Sequence, residues 1–293
     1  MGITATRAPF LWALLSTLAA ALLTGCGAGF LHRETRQSQT PYLPDTPLRV
    51  VSSNGSISIR SGNQDLVLIR ADIRATTPER LAAAEVTTQR LDDGTLVIGV
   101  AWPDGERKSS EGCDFLISLP GVSQVELRTT NGAIEVEGMS GQAVLTTSNG
   151  SIWAVAHNGP VAAETRNGAI RIDRPAGPVV ARTSNGEVEV KDAAAGVDVE
   201  TTNGAVSIAL ADDSPGPVRV RTSNGSVELR PGPAFRGELA LGTSNGSLDI
   251  GRLRGAEVLS ISSRSGKLKI GEGGDPSSVQ TSNGRIRVTG GVR

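Results

Sequence analysis

Aromatic side chains make up only 3% of the 293 residues, and two of the eight, Phe10 and Trp12, fall in an N-terminal apolar run. A core without their bulk must be thin and aliphatic. Histidine is nearly missing, with His32 and His157 alone, which leaves no material for a multi-histidine metal centre and little for imidazole acid–base chemistry. Lys and Arg number 29 against 30 Asp and Glu, so there is no basic surplus to hold a nucleic-acid backbone. The two cysteines, Cys26 and Cys113, cannot supply a disulfide framework. Cys113 lies in Cys113-Asp114-Phe115-Leu116-Ile117 and reads as a small buried residue rather than a nucleophile.

The one long apolar run is at the start. Arg7 precedes Ala8 to Leu23, and the run closes on Leu23-Thr24-Gly25-Cys26. That layout reads as a signal peptide over residues 1–25, too short for a membrane span. Leu-Thr-Gly-Cys resembles the lipobox of bacterial lipoproteins, which implies that Cys26 carries a lipid and becomes the mature first residue. Residues 26–46, polar and interrupted by Pro41 and Pro44, read as a flexible tether.

Glycine, by contrast, is plentiful, and it is placed periodically. Asn-Gly occurs at Asn54, then at Asn131, Asn149, Asn167, Asn185 and Asn203 at intervals of 18, at Asn224 and Asn245 at intervals of 21, and at Asn283. Ser265-Gly266 occupies the gap before the last copy. Each dipeptide is followed by period-two alternation, as in Ala-Ile-Arg-Ile (169–172) and Glu-Val-Glu-Val (187–190), and the stretch before it alternates as well. Two short strands per repeat follow, with a second turn at Gly-Pro steps such as Gly159-Pro160 and Gly177-Pro178.

Two architectures satisfy this pattern. Asn-Gly between alternating runs is the signal for a type I′ hairpin, which would build an antiparallel β-meander. In a parallel β-solenoid of 18–21-residue coils the same dipeptide is a corner, and equivalent residues stack at about 4.8 Å. A meander needs roughly eighteen strands in one sheet, whereas open sheets seldom exceed about ten. The solenoid also explains the threonine two residues before each turn, from Thr129 to Thr281, as stacked hydroxyls that bond one another. The lengthened repeats place their extra residues at one corner, at Asp212-Asp213-Ser214 and Pro231-Gly232-Pro233. The solenoid is the favoured reading, over 124–293. Residues 47–123 read as an irregular β region that caps its N-terminal end, with a short helix from Pro78 capped by Thr76 and Glu79.

The early Asn-Gly-Ser-Ile, the irregular insertion, Phe115-Leu-Ile-Ser-Leu-Pro120, Val125-Glu-Leu-Arg-Thr-Thr-Asn-Gly132 and the serial Thr-Ser-Asn-Gly copies resemble the bacterial putative-adhesin β-strand-repeat family, a domain of unknown function related to the auto-transporter adhesin head domain. The resemblance runs over about residues 47–290. It implies a β-solenoid at the cell envelope and offers no catalytic residues.

The functional expectation is therefore a lipid-anchored envelope protein acting as an adhesin-like binding or scaffold module, with no cofactor and no metal. Its partners are the membrane, through Cys26, and an anionic envelope polymer or another envelope protein. The alternative is a carbohydrate-active enzyme on a β-helix, for which Asp212 and Asp213 are the nearest carboxylate pair. Sequential stacking gives an outward row Glu135, Trp153, Arg171, Glu189, Ser207, Glu228, Asp249, Lys269, Arg287. Trp153 and Arg171 are then neighbours at an exposed contact, Asp249 pairs with Lys269, and Glu228 meets Asp249 as a like charge. Residues 251–293 hold eight basic and three acidic residues. Arg264, Lys267, Lys269, Arg285 and Arg287 form a candidate patch for an anionic ligand. His157, beside Asn158-Gly159, reads as a surface turn residue.

Overall fold

The computed structural model describes residues 31–63 and 65–290. Cys26 and the apolar N-terminal run lie outside the described residues. Among the described residues the strands form two sheets, of 12 and 13 strands, called sheet 1 and sheet 2 below. Each coil crosses from sheet 2 to sheet 1 at its Asn-Gly and returns at a second corner. One coil, for example, runs along Gln142–Thr146 in sheet 2, turns at Asn149-Gly150, and continues as Ile152–Val155 in sheet 1. Neighbouring coils pair in parallel, Ile152 with Ile170 and Val161 with Val179, one repeat of 18 apart. The fold is a parallel β-solenoid. The meander fails because equivalent strands lie side by side in the same direction, so Asn-Gly never closes a hairpin.

The glycine of each corner is required by stacking, not by its φ. Where the chain crosses from sheet 2 to sheet 1, neither the asparagine nor the glycine has positive φ, unlike Gly141 and Gly159 at the second corner. A Cβ on Gly186 would lie 1.8 Å from the carbonyl oxygen of Gly168 one coil away, and one on Gly150 would lie 2.0 Å from that of Gly132. The same carbonyls accept the buried threonine hydroxyls: Thr147 Oγ1 donates to Gly132 O at 3.0 Å and Thr183 Oγ1 to Gly168 O at 3.2 Å. The expected threonine-to-threonine ladder is thus replaced by a threonine-to-backbone one, which satisfies a polar group inside the corner. The asparagines do bond one another. Asn149 Nδ2 donates to Asn131 Oδ1 at 2.8 Å, and the chain of amides continues through Asn167, Asn185, Asn203 and Asn224 at 2.8 to 2.9 Å.

Between the sheets, the inward rows are aliphatic. Ile57, Ile134, Ile152, Ile170, Val188, Val206, Val227 and Ile286 are all at most 1% exposed. Each such side chain contributes about 1.5–3 kcal/mol by leaving water, so the repeat count, not bulky residues, supplies the stability. Phe115 and Phe235 are the buried aromatics of the described core.

The coil order departs from the chain order at both ends. The first coil, Leu48–Val51 and Ile57–Ser61, pairs directly with the coil at 124–137, across the long insertion. The last coil, Ser277–Thr281 and Ile286–Val288, slides between the coil at 218–230 and the coil at 237–250. The asparagine ladder follows that order, from Asn224 to Asn283 and then to Asn245. Ser265-Gly266 is not a corner. It begins the strand Ser265–Ile270, which runs antiparallel to both Gly237–Thr243 and Ala256–Ile261 in sheet 2. The extra residues of the 21-residue steps lie outside the strands, at 211–217 and 231–236, as loop growth.

The insertion closes the N-terminal end. Leu66–Ala75 and Gly112–Leu119 extend sheet 1, and Glu85–Arg90 with Leu96–Ala101 extend sheet 2. The expected tether does not begin to fold at 47: His32–Pro41 is a ten-residue strand antiparallel to Leu66–Ala75. Its sequence lacks apolar alternation because backbone pairing at the sheet edge, not burial, holds it. Helix α1, Pro78–Ala83, is capped by Thr77, whose hydroxyl accepts from Arg80 N, and not by Thr76. Thr76 instead donates to Glu111 Oε1 at 2.9 Å.

Candidate functional site

The outward face of sheet 1 carries the charged and aromatic rows, and the coil order decides their neighbours. The row reads Ser58, Glu135, Trp153, Arg171, Glu189, Ser207, Glu228, Arg287, Asp249. Trp153 and Arg171 are adjacent as expected, with the guanidinium carbon 6.0 Å from the ring centroid and the indole 45% exposed. Arg171 also reaches Glu189 at 3.5 Å. The inserted coil corrects the rest. Arg287 separates Glu228 from Asp249 and binds Asp249 at 2.9 Å, removing the expected like-charge contact. Lys269 is not in the row; it pairs with Glu272 at 3.0 Å.

One step closer to the corner, a second row runs Ser56, Ala133, Ser151, Ala169, Glu187, Ala205, Ser226, Arg285, Ser247, linked strand to strand by backbone hydrogen bonds. Glu187 and Arg285 are its two charged members. The small residues Ala205, Ser207 and Ser226 floor a groove of about 380 Å³ on this face. Glu187 and Glu189 form one wall, Arg285 and Arg287 the other, with Glu228 between them. Three coil steps of about 4.8 Å put the Glu187 and Arg285 backbones roughly 14 Å apart. Glu189 is held by Lys191 at 2.7 Å and Glu228 by Arg230 at 2.7 Å. Glu187 and Arg285 make no ion pair among the described residues, so the groove offers one open carboxylate facing one open guanidinium.

The five basic residues expected to cluster are divided between the sheets. Arg285 and Arg287 belong to sheet 1; Lys267 and Lys269 lie on the sheet 2 strand Ser265–Ile270, with Arg264 in the turn before it. Lys267 binds Glu238 at 2.8 Å. Arg264 and Arg285 remain without an ion pair among the described residues.

Elsewhere the chemistry-bearing side chains are structural. His157 is buried at 1% exposure, not on the surface. Its Nε2 lies 2.8 Å from Gly141 O, its Nδ1 has no partner, and burial pushes its pKa down. The residue fills the second corner where Ser140 and Asn158 bridge. Cys113 is buried, and burial with the nearby Asp114 pushes its thiol up, away from a reactive thiolate. Asp212 and Asp213 do not line the groove. Among the described residues no cluster of three or more His, Cys, Asp or Glu could hold a metal.

No sequence signal marks Glu111. It is fully buried in the N-terminal cap, where Arg80 clamps it through Nε at 2.7 Å and Nη2 at 2.9 Å. The Lys108 and Thr76 amides also donate to it. These donors, Arg80 foremost, hold its pKa down to about 2.

The coil stack, its N-terminal cap and the match of residues 26–271 to the Toastrack DUF4097 family decide the relationship. The chain belongs to the Toastrack family. Among solved structures, this Toastrack chain is similar to a putative adhesin from Bacteroides fragilis at 10% identity, covering 87% of this chain and 97% of the other with a TM-score of 0.51. A putative adhesin from Parabacteroides merdae aligns at 12% identity over 91% and 98% of the two chains, with a TM-score of 0.35. At such identities the first likeness is one of fold. No curated protein matches the chain. The expected family is therefore the one to which the repeats pointed, and the Toastrack fold accounts for the two long, mostly parallel sheets.

Proposed function

We propose that this protein is an exported, lipid-anchored module of the cell envelope that binds a surface ligand on the outward face of sheet 1. The observation that carries the reading is the groove: a small-residue floor on a rigid coil stack, with unpaired Glu187 and Arg285 on opposite walls. Such a recess gives a charged ligand two fixed contacts, and the stacked coils hold them in place without an ordering cost on binding. The adhesin names of the structural neighbours fit this reading. Cys26, in its lipobox-like context, supplies the anchor, and Arg285 with Arg287 supplies the contact to an anionic envelope polymer.

Binding fits the site better than glycoside chemistry does. A hydrolase of that kind needs two carboxylates with opposed proton affinities facing one bond, whereas Glu189 and Glu228 are committed to ion pairs and Glu187 stands alone.

Pull-down of the protein on isolated bacterial envelope fragments tests the reading. Capture should fall at least about tenfold for Arg285→Gln, the loss of one charged contact, and remain unchanged for Lys267→Gln on the other sheet. Equal capture of all three proteins refutes the groove as the site. Labelled palmitate fed to cells should be incorporated into the unmodified protein and not into Cys26→Ser; equal incorporation refutes the anchor.

A further inference from the structure

The C-terminal end of the stack is open. Sheet 1 ends there at the three-residue strand Leu248–Ile250, and sheet 2 ends at Ala256–Ile261, whose outer backbone edge has no neighbouring strand among the described residues. Val258 is 55% exposed, Leu259 43% and Ile261 61%. Val258 stands opposite Leu268 and Ile261 opposite Gly266, so both point to the core side of the sheet. A register shift between Val258 and Ser260 puts these two residues, three apart, on one face. Leu248 and Ile250 reach over Gly266, their Cδ1 atoms 3.6 and 3.4 Å from the position of a Cβ there, but they leave Val258 and Ile261 uncovered. The edge carries no Lys and no Pro; Glu257 and the bulge are its guards.

The geometry points to a second copy of this chain as the occupant, paired edge to edge through Ala256–Ile261. An antiparallel pairing with its two-fold axis between Leu259 and Ser260 sets each Val258 opposite the second copy's Ile261, both on the core side. Leu259 faces Ser260 in the same register, and the bulged strand matches itself because both copies carry the shift at the same place. The charges also agree. Glu257 falls opposite the second copy's Ser262, in the hairpin turn that also carries Arg264, a residue with no ion pair among the described residues. No like charges oppose each other. The pairing continues sheet 2 across the two-fold axis and closes the ends of both cores, as self-complementary interfaces do.

Sedimentation equilibrium of the mature protein, residues 26–293 carrying Cys26→Ser, from about 1 to about 100 μM, reads the outcome. The mass should rise from that of the monomer toward twice that value. Val258→Lys with Ile261→Lys should hold it at the monomer with an unchanged circular-dichroism spectrum. Register is tested by oxidation of cysteine variants: Val258→Cys mixed with Ile261→Cys should cross-link several-fold faster than either variant alone. A monomer at every concentration overturns the proposal. A dimer that survives the double lysine variant, or cross-linking that is equally fast in all three mixtures, overturns this interface. Binding of the unmodified surface to phosphatidylglycerol vesicles that is lost in the lysine variant, with no dimer in solution, assigns the patch to a membrane and likewise overturns it.

Discussion

The two ends of the stack are built from opposite materials. At the N-terminal end the sheets finish in His32–Pro41 and Glu85–Arg90, polar strands whose residues need no cover. Behind them α1 packs on Leu66–Ala75 and His32–Pro41, with Leu81, Ala84 and the Arg80-paired Glu111 buried. At the C-terminal end the sheets finish in Leu248–Ile250 and Ala256–Ile261, and Val258, Leu259 and Ile261 stay exposed. A solenoid cannot end on a bare coil, because the last coil exposes both a core and a hydrogen-bonding edge. The N-terminal end solves this with an insertion of about sixty residues of its own chain; the C-terminal end, with one hairpin, solves only half of it.

The largest effect should come from breaking the stack that joins the ends. Gly186→Ala forces a Cβ to 1.8 Å from Gly168 O, where only backbone movement relieves the clash. It should cost more than about 3 kcal/mol in urea unfolding, among the severe single-site losses. Gly242→Ala, which meets nothing within 4 Å, should be near neutral, and equal effects would show that stacking does not dictate the corner glycines.

Glu111→Gln attacks the closed end alone. With the folded carboxyl at about 2 against an ordinary 4.5, the ionised pair contributes about 3 kcal/mol. The sign follows from the lowered pKa. The contribution is present in full above about pH 4.5 and is lost as pH falls toward 2. Thermal unfolding from pH 7 down to pH 3 should therefore show an acid-side fall in Tm that is shallower in the Gln variant. Parallel curves would deny Glu111 this role.

Smaller still, Asn185→Ala removes two rungs of an exposed amide ladder, at 2.9 Å on each side, and should cost about 1 kcal/mol. Asn245→Ala, at the ladder's C-terminal end with one rung, should cost about half as much. A larger loss at Asn245 than at Asn185 would contradict the open end. Smallest is Val258→Lys with Ile261→Lys, which should shift monomer stability by less than about 0.5 kcal/mol, because water already covers these side chains.

Much of this was legible in residues. Alternation and the 18-residue spacing give the strands, the inward Ile and Val rows and the Asn-Gly corners, and the run of copies gives the family. Trp153 and Arg171 could be paired because consecutive coils at constant spacing stack in chain order. What escaped is what strand pairing decides at a distance. Asn283-Gly284 and Ser265-Gly266 both resemble corners, and nothing local says that the later segment enters the stack while the earlier one leaves it for an antiparallel hairpin. That single exchange moves Lys269 off the row, brings Arg287 between Glu228 and Asp249, and opposes Arg285 to Glu187. Burial of His157 and of Glu111 escaped for a related reason: each depends on partners, Gly141 and Arg80, supplied by other segments. Glu187 and Arg285 did leave a signal, as the only charges in a row of Ser and Ala, but their separation depends on the coil order.

The coil order is therefore the claim on which the groove and the open end both rest, and a crystal structure of the protein tests it most directly. The account predicts Asn245 Nδ2 bonded to Asn283, Arg287 between Glu228 and Asp249, and Ala256–Ile261 as the outermost strand of its sheet. Asn245 bonded to Asn224, with residues 277–288 as the terminal coil, would contradict it and remove both sites together.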